Sequence, residues 1–473
     1  MSSPTQPQPQ QLTGHKAPST SGANAPQGPP QALAGGRKKA YKIRGSPFIV
    51  DTRYDVIKAI GLGAYGLVCS AKDTVTGRYV AIKKIPKMFQ DLVDSRRVLR
   101  EIYCMRLLGG RHPHLLELLD VLSPVEDTDK EKKTFTDLYL VTELFDTDLH
   151  GLLKSKHKIT FEHHTYISYQ VFKGLAFTHA SGIMHRDLKP GNIFLGAQCA
   201  VCVGDFGLAR GGIDFKGKMV KDENIDDADP GIVPVDVVDL TDYVITRWYR
   251  CPELLLMLGY DHSVDMWSCG CILAEMMLRR PIFQGTNYLQ QFEVISHLVD
   301  FPTETEDVAK VMPNATGEQC RMTVRLGKAL KEREAKELGD VEAARMSTRI
   351  RLFKRFGLDP DGCSRTWNRY MDMVSQLLNF DPAKRLTACE AVLHPYVAHL
   401  AKNDEQLPLF QSGFAELQKY TRSKLAVQDL HKYWSFDRAE LTEAMLRDEF
   451  WQAMHQHPGM FAAAAELAEE DDA

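Results

Sequence analysis

Residues His185–Arg210, which read HRDLKPGNIFLGAQCAVCVGDFGLAR, carry the pattern from which the rest of the chain is interpreted. Two carboxylates, Asp187 and Asp205, stand on either side of the amide of Asn192. A carboxylate can accept the proton of a hydroxyl group, and a carboxylate with an amide can hold the magnesium ions that neutralise phosphate charge. Lys189 can reach a transferring phosphoryl group as a point charge. Together these are the groups that phosphoryl transfer to a hydroxyl group needs.

The same run resembles two signatures of protein kinases, the catalytic loop at 185–192 and the magnesium-binding loop at 205–207. The resemblance implies an α+β fold of two lobes, a small β-rich N-lobe and a large, mostly helical C-lobe, with ATP and Mg²⁺ in the cleft between them. It implies Asp187, Lys189 and Asn192 as catalytic residues, and Asn192 and Asp205 as metal ligands. Two alternatives are a catalytically silent kinase fold that serves as a scaffold, and a cyclin-dependent-type kinase that needs a partner subunit.

Upstream, a glycine-rich run at 61–68 lies between two predicted strands, 54–60 and 66–72. Glycines there let backbone amides close over phosphates, although a tight hairpin would have the same pattern. A Val-Ala-Ile-Lys strand ending at Lys83 follows, and a predicted helix from about Ser95 to Leu108 supplies Glu101. Lys83 would contact nucleotide phosphates and Glu101 would fix it. The alternative is that both are ordinary surface charges.

Next, strand 138–141 leads into a predicted hinge at 142–146, where Thr142 takes the gatekeeper position and, being small, leaves a back pocket open. Phe194 falls at the adenine floor, where the family usually has smaller aliphatic residues, so a narrower pocket is expected. Gly204 replaces a larger residue before Asp205 and is expected to loosen the magnesium loop. The resemblance implies these ATP-binding residues: Ile60, Gly61, Leu62, Gly63, Ala64, Tyr65, Gly66, Leu67, Val68, Ala81, Lys83, Glu101, Thr142, Glu143, Phe145 and Phe194.

Residues 241–253, TDYVITRWYRCPE, resemble the doubly phosphorylated activation lip of mitogen-activated protein (MAP) kinases. Each phosphate adds close to two negative charges and attracts arginines. Thr241 and Tyr243 are the implied phosphorylation sites; the alternative is that they are incidental loop residues. The candidate phosphate-binding arginines are Arg97, Arg100, Arg186 and Arg210 for the threonine, and Arg247 and Arg250 for the tyrosine.

Lys189 together with Thr246 is typical of Ser/Thr kinases, and the MAP-kinase resemblance implies a proline after the target residue. Proline suits a site that offers no acceptor for a backbone N–H. The implied partners are protein substrates with Ser/Thr-Pro sites, an upstream dual-specificity kinase and phosphatases. A monomer is expected.

The 473 residues carry 58 Lys and Arg against 62 Asp and Glu, a formal net charge of −4, which gives no overall attraction to nucleic acid or anionic membranes. The first residues contain no apolar run typical of a secretory signal, and no stretch of the sequence is apolar enough to predict a membrane span. Ten cysteines without secretion indicate reduced thiols, so a cytoplasmic or nuclear location, or both, is expected.

The domain limits follow from composition and from the resemblance. Residues 1–47 are predicted to be a disordered Pro/Gln/Ser-rich tail, within which the basic cluster at 37–39 is either an import or docking patch or a solvated linker. The kinase domain is predicted at 48–397, with an N-lobe at about 48–141 and a C-lobe at about 147–397. A MAP-kinase-like extension that packs back on the small lobe is predicted at 398–460, and an Ala-rich acidic tail at 461–473.

Two long predicted helices, 162–180 and 261–279, belong to the C-lobe, the second so apolar that it must be buried. Arg385 is expected to pair with Glu253, either structurally or as a plain surface bridge. Residues 211–240 form an acidic insertion that either occupies the arginine cluster before phosphorylation or is simply solvated. A second, charged insertion at about 301–366 is expected to contain one extended helix over 328–355. Lys402 stands where MAP kinases have an acid, which leaves Asp404 and Glu405 as docking candidates.

Overall fold

The computed structural model describes residues 24–33, 36–63, 66–125, 134–211, 246–402, 404–425, 433–434, 436 and 441–455. They form two lobes, a smaller one built on antiparallel sheets and a larger helical one. The predicted α+β, two-lobed kinase fold is therefore confirmed. Thr241, Tyr243, Ala64 and Tyr65 lie outside the described residues, as does the acidic insertion apart from Gly211.

Order begins earlier than the sequence suggested. Strands β1 (Gln31–Ala32), β2 (Lys38–Ile43) and β3 (Ser46–Asp51) form an antiparallel sheet ahead of the kinase lobes. Alternate residues of β2 and β3 are buried in one cluster with the first strand of the N-lobe, because period-two alternation places them on one face. The predicted disorder of residues 1–47 is therefore wrong for the described residues between 24 and 47.

The basic cluster at 37–39 takes part in this packing. Lys38 is only 4% exposed and pairs with Asp51 at 2.5 Å, and Lys39 reaches Asp55 at 2.5 Å. Two of its three cations are thus paired within the fold, which agrees neither with an import patch nor with a solvated linker.

The N-lobe sheet has strand order β4-β5-β6-β8-β7, with every neighbouring pair antiparallel. A helix, α1 (Leu92–Leu108), lies between β6 and β7 in the chain and begins at Asp91, whose side chain accepts a hydrogen bond from the Val93 N–H and so caps the first turn. The strands are β4 (Tyr54–Gly63), β5 (Gly66–Asp73), β6 (Tyr79–Ile85), β7 (Leu118–Leu122) and β8 (Leu138–Glu143).

The C-lobe begins with a three-stranded sheet of order β11-β10-β9 beneath the hinge, made of β9 (Thr147–Asp148), β10 (Ile193–Leu195) and β11 (Val201–Val203). Most of its helices pack into one large apolar cluster that also takes in α1. They are α2 (Leu149–Lys154), α3 (Phe161–Ala180), α4 (Pro252–Leu255), α5 (Ser263–Leu278), α6 (Tyr288–Ser296), α7 (Thr305–Val311), α8 (Gly317–Leu338), α9 (Asp340–Arg345), α10 (Thr348–Arg355), α11 (Arg365–Leu377), α12 (Ala388–Leu393), α13 (Ala398–Ala401), α14 (Leu407–Gln411), α15 (Phe414–Lys424) and α16 (Glu443–His455).

The charged insertion is not one helix over 328–355. It is divided into α8, α9 and α10, because Gly339 takes a left-handed φ of 82° and ends α8. Arg351 of α10 lies inside the insertion, 6% exposed, with Glu334 at 2.6 Å and Asp300 at 2.7 Å. Some of the charged residues of this segment therefore pair with one another inside the fold.

The C-terminal extension contacts the N-lobe helix. Tyr103 of α1 donates a hydrogen bond to Glu449 at 2.5 Å and packs against the Phe436 ring at 4.4 Å, while Tyr433 donates to the Tyr103 carbonyl at 2.8 Å. These contacts brace α1 from behind. None of the described helices combines the length and the apolar character that crossing a bilayer requires.

Candidate active site

The catalytic loop is held by a buried carboxylate on α5. Asp265 is fully buried and accepts hydrogen bonds from the backbone N–H groups of His185 and Arg186, both at 2.8 Å, and its Oδ2 lies 2.9 Å from His179 Nε2. Burial is the largest influence and raises the pKa of Asp265, but the hydrogen bond with His179, the electrostatic interactions with His179 and His185 and the hydrogen bond from the His185 N–H together outweigh it, so the pKa lies below its usual range. The loop, in which Arg186 has a φ of 66°, is therefore anchored through its backbone.

The three predicted catalytic residues meet in this loop. Asp187 Oδ2 lies 2.5 Å from Lys189 Nζ, and Asn192 Nδ2 donates to both the carbonyl and Oδ2 of Asp187, at 2.8 and 3.2 Å. Asp187 Oδ1 is buried and accepts no hydrogen bond from any residue that the structure describes. One oxygen of the carboxylate is thus oriented, and the other is left to accept a proton.

The magnesium loop is tied directly to the catalytic loop. The Gly204 N–H donates to the Asn192 carbonyl at 3.0 Å, and the Gly204 carbonyl lies 2.9 Å from His185 Nε2. Phe206 is fully buried against the His185 ring, 4.9 Å between centroids, and Asp205 has a φ of 62°. These contacts bring Asn192 and Asp205 to one side of the cleft.

Those two side chains form a suitable donor set for Mg²⁺. The ion prefers oxygen ligands, and it is usually held by one or two protein groups together with substrate phosphates. Within the described ranges, no group of three or more His, Cys, Asp and Glu side chains forms a closed metal site. The carboxylate of Asp205 and the amide oxygen of Asn192 therefore fit a magnesium ion that is shared with a nucleotide.

The Lys83–Glu101 pair completes the charged centre. Lys83 Nζ lies 2.9 Å from both carboxylate oxygens of Glu101. Burial raises the pKa of Glu101, and the Lys83 charge opposes that shift. Loss of solvation is the largest influence and raises the pKa of Asp205, but the charges of Lys83 and Lys189, the interaction with His185 and the hydrogen bond from the Gly207 N–H together outweigh it and hold the pKa below its ordinary value. Asp205 therefore stays ionised, as a metal ligand must be.

Strand register explains how Lys83 reaches this place. It pairs with Val68 on β5 and with Leu140 on β8, so it lies in the middle strand of the sheet, next to the glycine-rich hairpin. In that hairpin, a Cβ on Gly66 would come 1.9 Å from the Lys84 carbonyl oxygen, and the φ of Gly66 is 143°. Only glycine fits there, which agrees with a hairpin built for close backbone approach.

The other ATP-binding candidates that the structure describes lie on the strands around Lys83 and just beyond the hinge. Ile60, Gly61, Leu62 and Gly63 end β4, while Gly66, Leu67 and Val68 begin β5. Across the sheet, Ala81 on β6 pairs with Thr142 on β8, which Glu143 follows. Beyond the hinge, the Phe145 ring lies 5.9 Å from the Phe194 ring.

The six predicted phosphate-binding arginines are all buried and fall into two groups. In the first, Arg100 Nη1 donates to the Gly207 carbonyl at 2.9 Å, which joins α1 to the magnesium loop. In the second, the guanidinium groups of Arg247 and Arg250 lie 5.0 and 5.7 Å from the centre of the Tyr288 ring. Arg97, Arg186 and Arg210 belong to the first group by their places on α1 and beside the two loops.

Two residues that support the site, Asp265 and His179, were not singled out from the sequence. Asp265 and His179 hold the catalytic loop, and Trp434 contacts the end of the magnesium segment, where a Cβ on Gly211 would lie 1.9 Å from its ring. One signal was available: a carboxylate inside so apolar a helix as α5 must have buried partners.

The docking candidates are not equivalent. Asp404 accepts hydrogen bonds from Lys173 Nζ and the Tyr169 hydroxyl, both at 2.6 Å. Burial is the largest influence and raises the pKa of Asp404, but its hydrogen bonds with Lys173, Tyr169 and the Gln406 N–H and the charge of Lys173 together outweigh this and lower the pKa. Glu405 is exposed. Asp404 is thus already bound by other side chains of the fold, whereas Glu405 is open to solvent.

Comparison with known proteins gives one family match. The family model named protein kinase domain matches residues 54–397 of this sequence. Extracellular signal-regulated kinase 1 of Dictyostelium discoideum is 38% identical over 362 residues, covering 76% of this chain and 58% of that protein. Two relatives from Oryza sativa subsp. japonica are covered more fully. Mitogen-activated protein kinase 6 is 34% identical over 79% of this chain and 84% of its own length, and mitogen-activated protein kinase 4 is 33% identical over 92% and 97%.

Proposed function

Because this chain belongs to the protein kinase family, and within it to the MAP kinases, we propose that it phosphorylates Ser and Thr residues that precede proline. It is a serine/threonine protein kinase of the MAP-kinase type. The proposal extends to its control, which we assign to phosphorylation of Thr241 and Tyr243 by an upstream dual-specificity kinase.

The observation that carries the catalytic part is the Lys83–Glu101 pair at 2.9 Å, beside Asp205. A lysine held by a buried carboxylate at the glycine-rich hairpin fits the contact with nucleotide phosphates that kinases require. Bound Mg²⁺ would neutralise charge on those phosphates, and Asn192 and Asp205 are the residues to hold it.

The residues of the chain then perform the transfer by position and charge. Asp187, fixed through Oδ2 by Lys189 and Asn192, presents Oδ1 to the substrate hydroxyl and takes up its proton. Lys189 also lies where it can stabilise charge on the moving phosphoryl group. Little covalent chemistry is asked of the protein.

The regulatory part is supported by the two arginine groups, which supply six buried cations, Arg247 and Arg250 from the lip sequence itself and four from earlier in the chain. A phosphate with nearly two negative charges can form charge-assisted hydrogen bonds to such groups and order the segment that carries it. Phosphotyrosine is assigned to Arg247 and Arg250, and phosphothreonine to the group that contains Arg100.

The test of catalysis compares transfer from Mg-ATP to a Ser-Pro peptide with transfer to the matched Ser-Ala peptide. We expect preference for Ser-Pro, and a loss of at least about 100-fold in Asp187→Asn, because general-base catalysis typically contributes that much. Asp307→Asn, on the exposed surface of α7, is the matched control and should leave the rate unchanged. Equal use of both peptides would refute the proline preference; no transfer by lip-phosphorylated enzyme would refute the catalytic assignment.

The test of control uses peptide mass spectrometry on the protein before and after treatment with an upstream lip-directed kinase. Phosphate on Thr241 and Tyr243 should accompany a rise in peptide phosphorylation, and Thr241→Ala/Tyr243→Phe should remove the rise. Lip phosphate in untreated wild type, but not in Asp187→Asn, would instead show self-activation. A rise that survives in the double variant would refute the assignment of the two sites.

A further inference from the structure

Phe194 forms the part of the cleft that lies below the hinge. It is the middle residue of β10, paired with Asp148 on one side and Cys202 on the other. Its neighbours Ile193 and Leu195 are buried at 0 and 3% exposure, so the Phe194 side chain points to the opposite face of the strand and is only half-buried. This places the ring at the floor of the proposed nucleotide site, and the argument here rests on that proposed function.

Gly204 lies directly behind this ring. A Cβ at position 204 would come 2.9 Å from Phe194 Cε2 and 2.8 Å from Leu116 Cδ2, closer than real Cβ contacts. The backbone cannot move away, because both polar groups of Gly204 are engaged, with the Asn192 carbonyl and with His185.

The φ of Gly204 is not left-handed, so its backbone conformation does not demand glycine. Space is the reason that glycine is required. The aromatic ring fills the volume that any side chain at position 204 would take.

We infer that Phe194 and Gly204 are a matched pair that sets the depth of the adenine pocket. The missing side chain at 204 lets the large ring recede toward the core, so the floor is aromatic and the cleft still has room for a purine. A side chain at 204 drives the ring toward the cleft, since Leu116 blocks the new Cβ on its other side and the Phe145 ring lies beside Phe194. The aromatic residue at 194 and the glycine at 204, which both depart from the family pattern, thus depend on each other.

The experiment measures Mg-ATP affinity by titration with a fluorescent, ribose-labelled ATP, together with the melting temperature of each protein without nucleotide. Gly204→Ala should weaken binding about tenfold, as expected for overpacking of a closed site. Phe194→Leu should change affinity less than about threefold, and the double variant should return to within about threefold of wild type, because leucine vacates the volume that the new methyl group needs.

Gly196→Ala is the matched control. It lies at the end of the same strand, and its Cβ would make only an ordinary contact, 3.5 Å from Phe145. It should bind nucleotide as wild type does.

Unchanged affinity in Gly204→Ala would overturn the inference. The inference would also be overturned if the loss of affinity in Gly204→Ala were relieved by Leu116→Ala but not by Phe194→Leu, because the critical contact would then be with Leu116. If Gly204→Ala fails to fold, folding of the Phe194→Leu/Gly204→Ala protein supports the pair and its failure refutes it. Absence of nucleotide binding in wild type would refute the proposed function, and the melting temperatures of the same four proteins would still test the pair.

Discussion

The ion pair between Glu253 and Arg385 links two motifs that are 132 residues apart in sequence. Arg385 Nη1 and Nη2 donate to the two Glu253 oxygens at 2.5 and 2.8 Å, and both side chains are almost fully excluded from solvent, at 0 and 2% exposure. The guanidinium also lies over the Trp267 ring at 5.0 Å and donates to the Asn379 carbonyl. The alternative of a plain surface bridge is therefore wrong, and the energetic consequence is large.

Arg385→Met removes the cation and leaves the Glu253 carboxylate buried. Breaking a buried pair in this way costs about 3–5 kcal/mol, whereas an exposed pair is worth about 0–1 kcal/mol. Typical stabilities are about 5–15 kcal/mol, so the loss is a substantial share of the total. We expect Arg385→Met to lower the unfolding free energy of the C-lobe by about 3–5 kcal/mol. Removing both charges in Glu253→Leu/Arg385→Met should cost less than that single change, since no buried ion remains.

The assay is urea unfolding followed by tryptophan fluorescence, which includes Trp267 next to the pair. The matched control is Lys310→Met, which removes the partner of Asp307 from an ion pair at 3.0 Å whose side chains are 74 and 56% exposed. Equal, sub-kilocalorie losses in Arg385→Met and Lys310→Met would refute the reasoning. A double variant that loses the sum of its two single changes would refute the coupling.

Three further outcomes are expected. Burial lowers the pKa of His112 to about 3, so as the pH falls below about 6.5 the unfolded chain binds a proton that the folded protein does not. This group then lowers the free energy of unfolding by up to about 1.4 kcal/mol per pH unit. The urea midpoints at pH 7.0 and 5.5 should therefore differ less in His112→Gln than in wild type, and equal differences would contradict this. Gly211→Ala would place its Cβ against the Trp434 ring, which packs against Phe436 and through it against Tyr103, so hydrogen exchange in α1 should speed up; unchanged exchange would exclude the clash. Lys173→Met removes one of the two 2.6 Å partners of Asp404, leaves the hydrogen bond from Tyr169, and should strengthen binding of an arginine-rich docking peptide in fluorescence polarisation, whereas unchanged affinity would exclude this acid from docking.

The sequence was informative where chemistry depends on short spacings. Asp187 and Asn192 are five residues apart and meet because one loop carries both. Lys83 and Glu101 were paired by the order of a strand and a helix, and the structure brings them to 2.9 Å. Alternation and helical spacing also predicted β4, β5, α1, α3 and α5 to within a few residues, because each has a continuous apolar face.

Burial was less predictable, since it depends on distant segments. Lys38 reads as a solvated charge until β3 supplies Asp51 and the N-lobe sheet covers the strand. Arg351 likewise reads as a surface residue of a charged helix, yet Asp300 and Glu334 enclose it. A lysine or arginine is expected to be exposed when only the sequence is known, but it can be buried when a carboxylate pairs with it.

The active site shows the same contrast between short motifs, which the sequence reveals, and long-range contacts, which it does not. Its reacting groups lie in short motifs, but their positions depend on remote supports: Asp265 from below, through the loop backbone, and α1 from above, through Glu101. Since α1 is itself braced by Tyr433 and Glu449, more than 300 residues along the chain, the geometry around Lys83 is a property of the whole fold. The catalytic loop, by contrast, is fixed by Asp265 whatever α1 does. Control of this kinase therefore has more scope at α1 and at the arginines outside the catalytic loop than at the loop that carries the catalytic carboxylate.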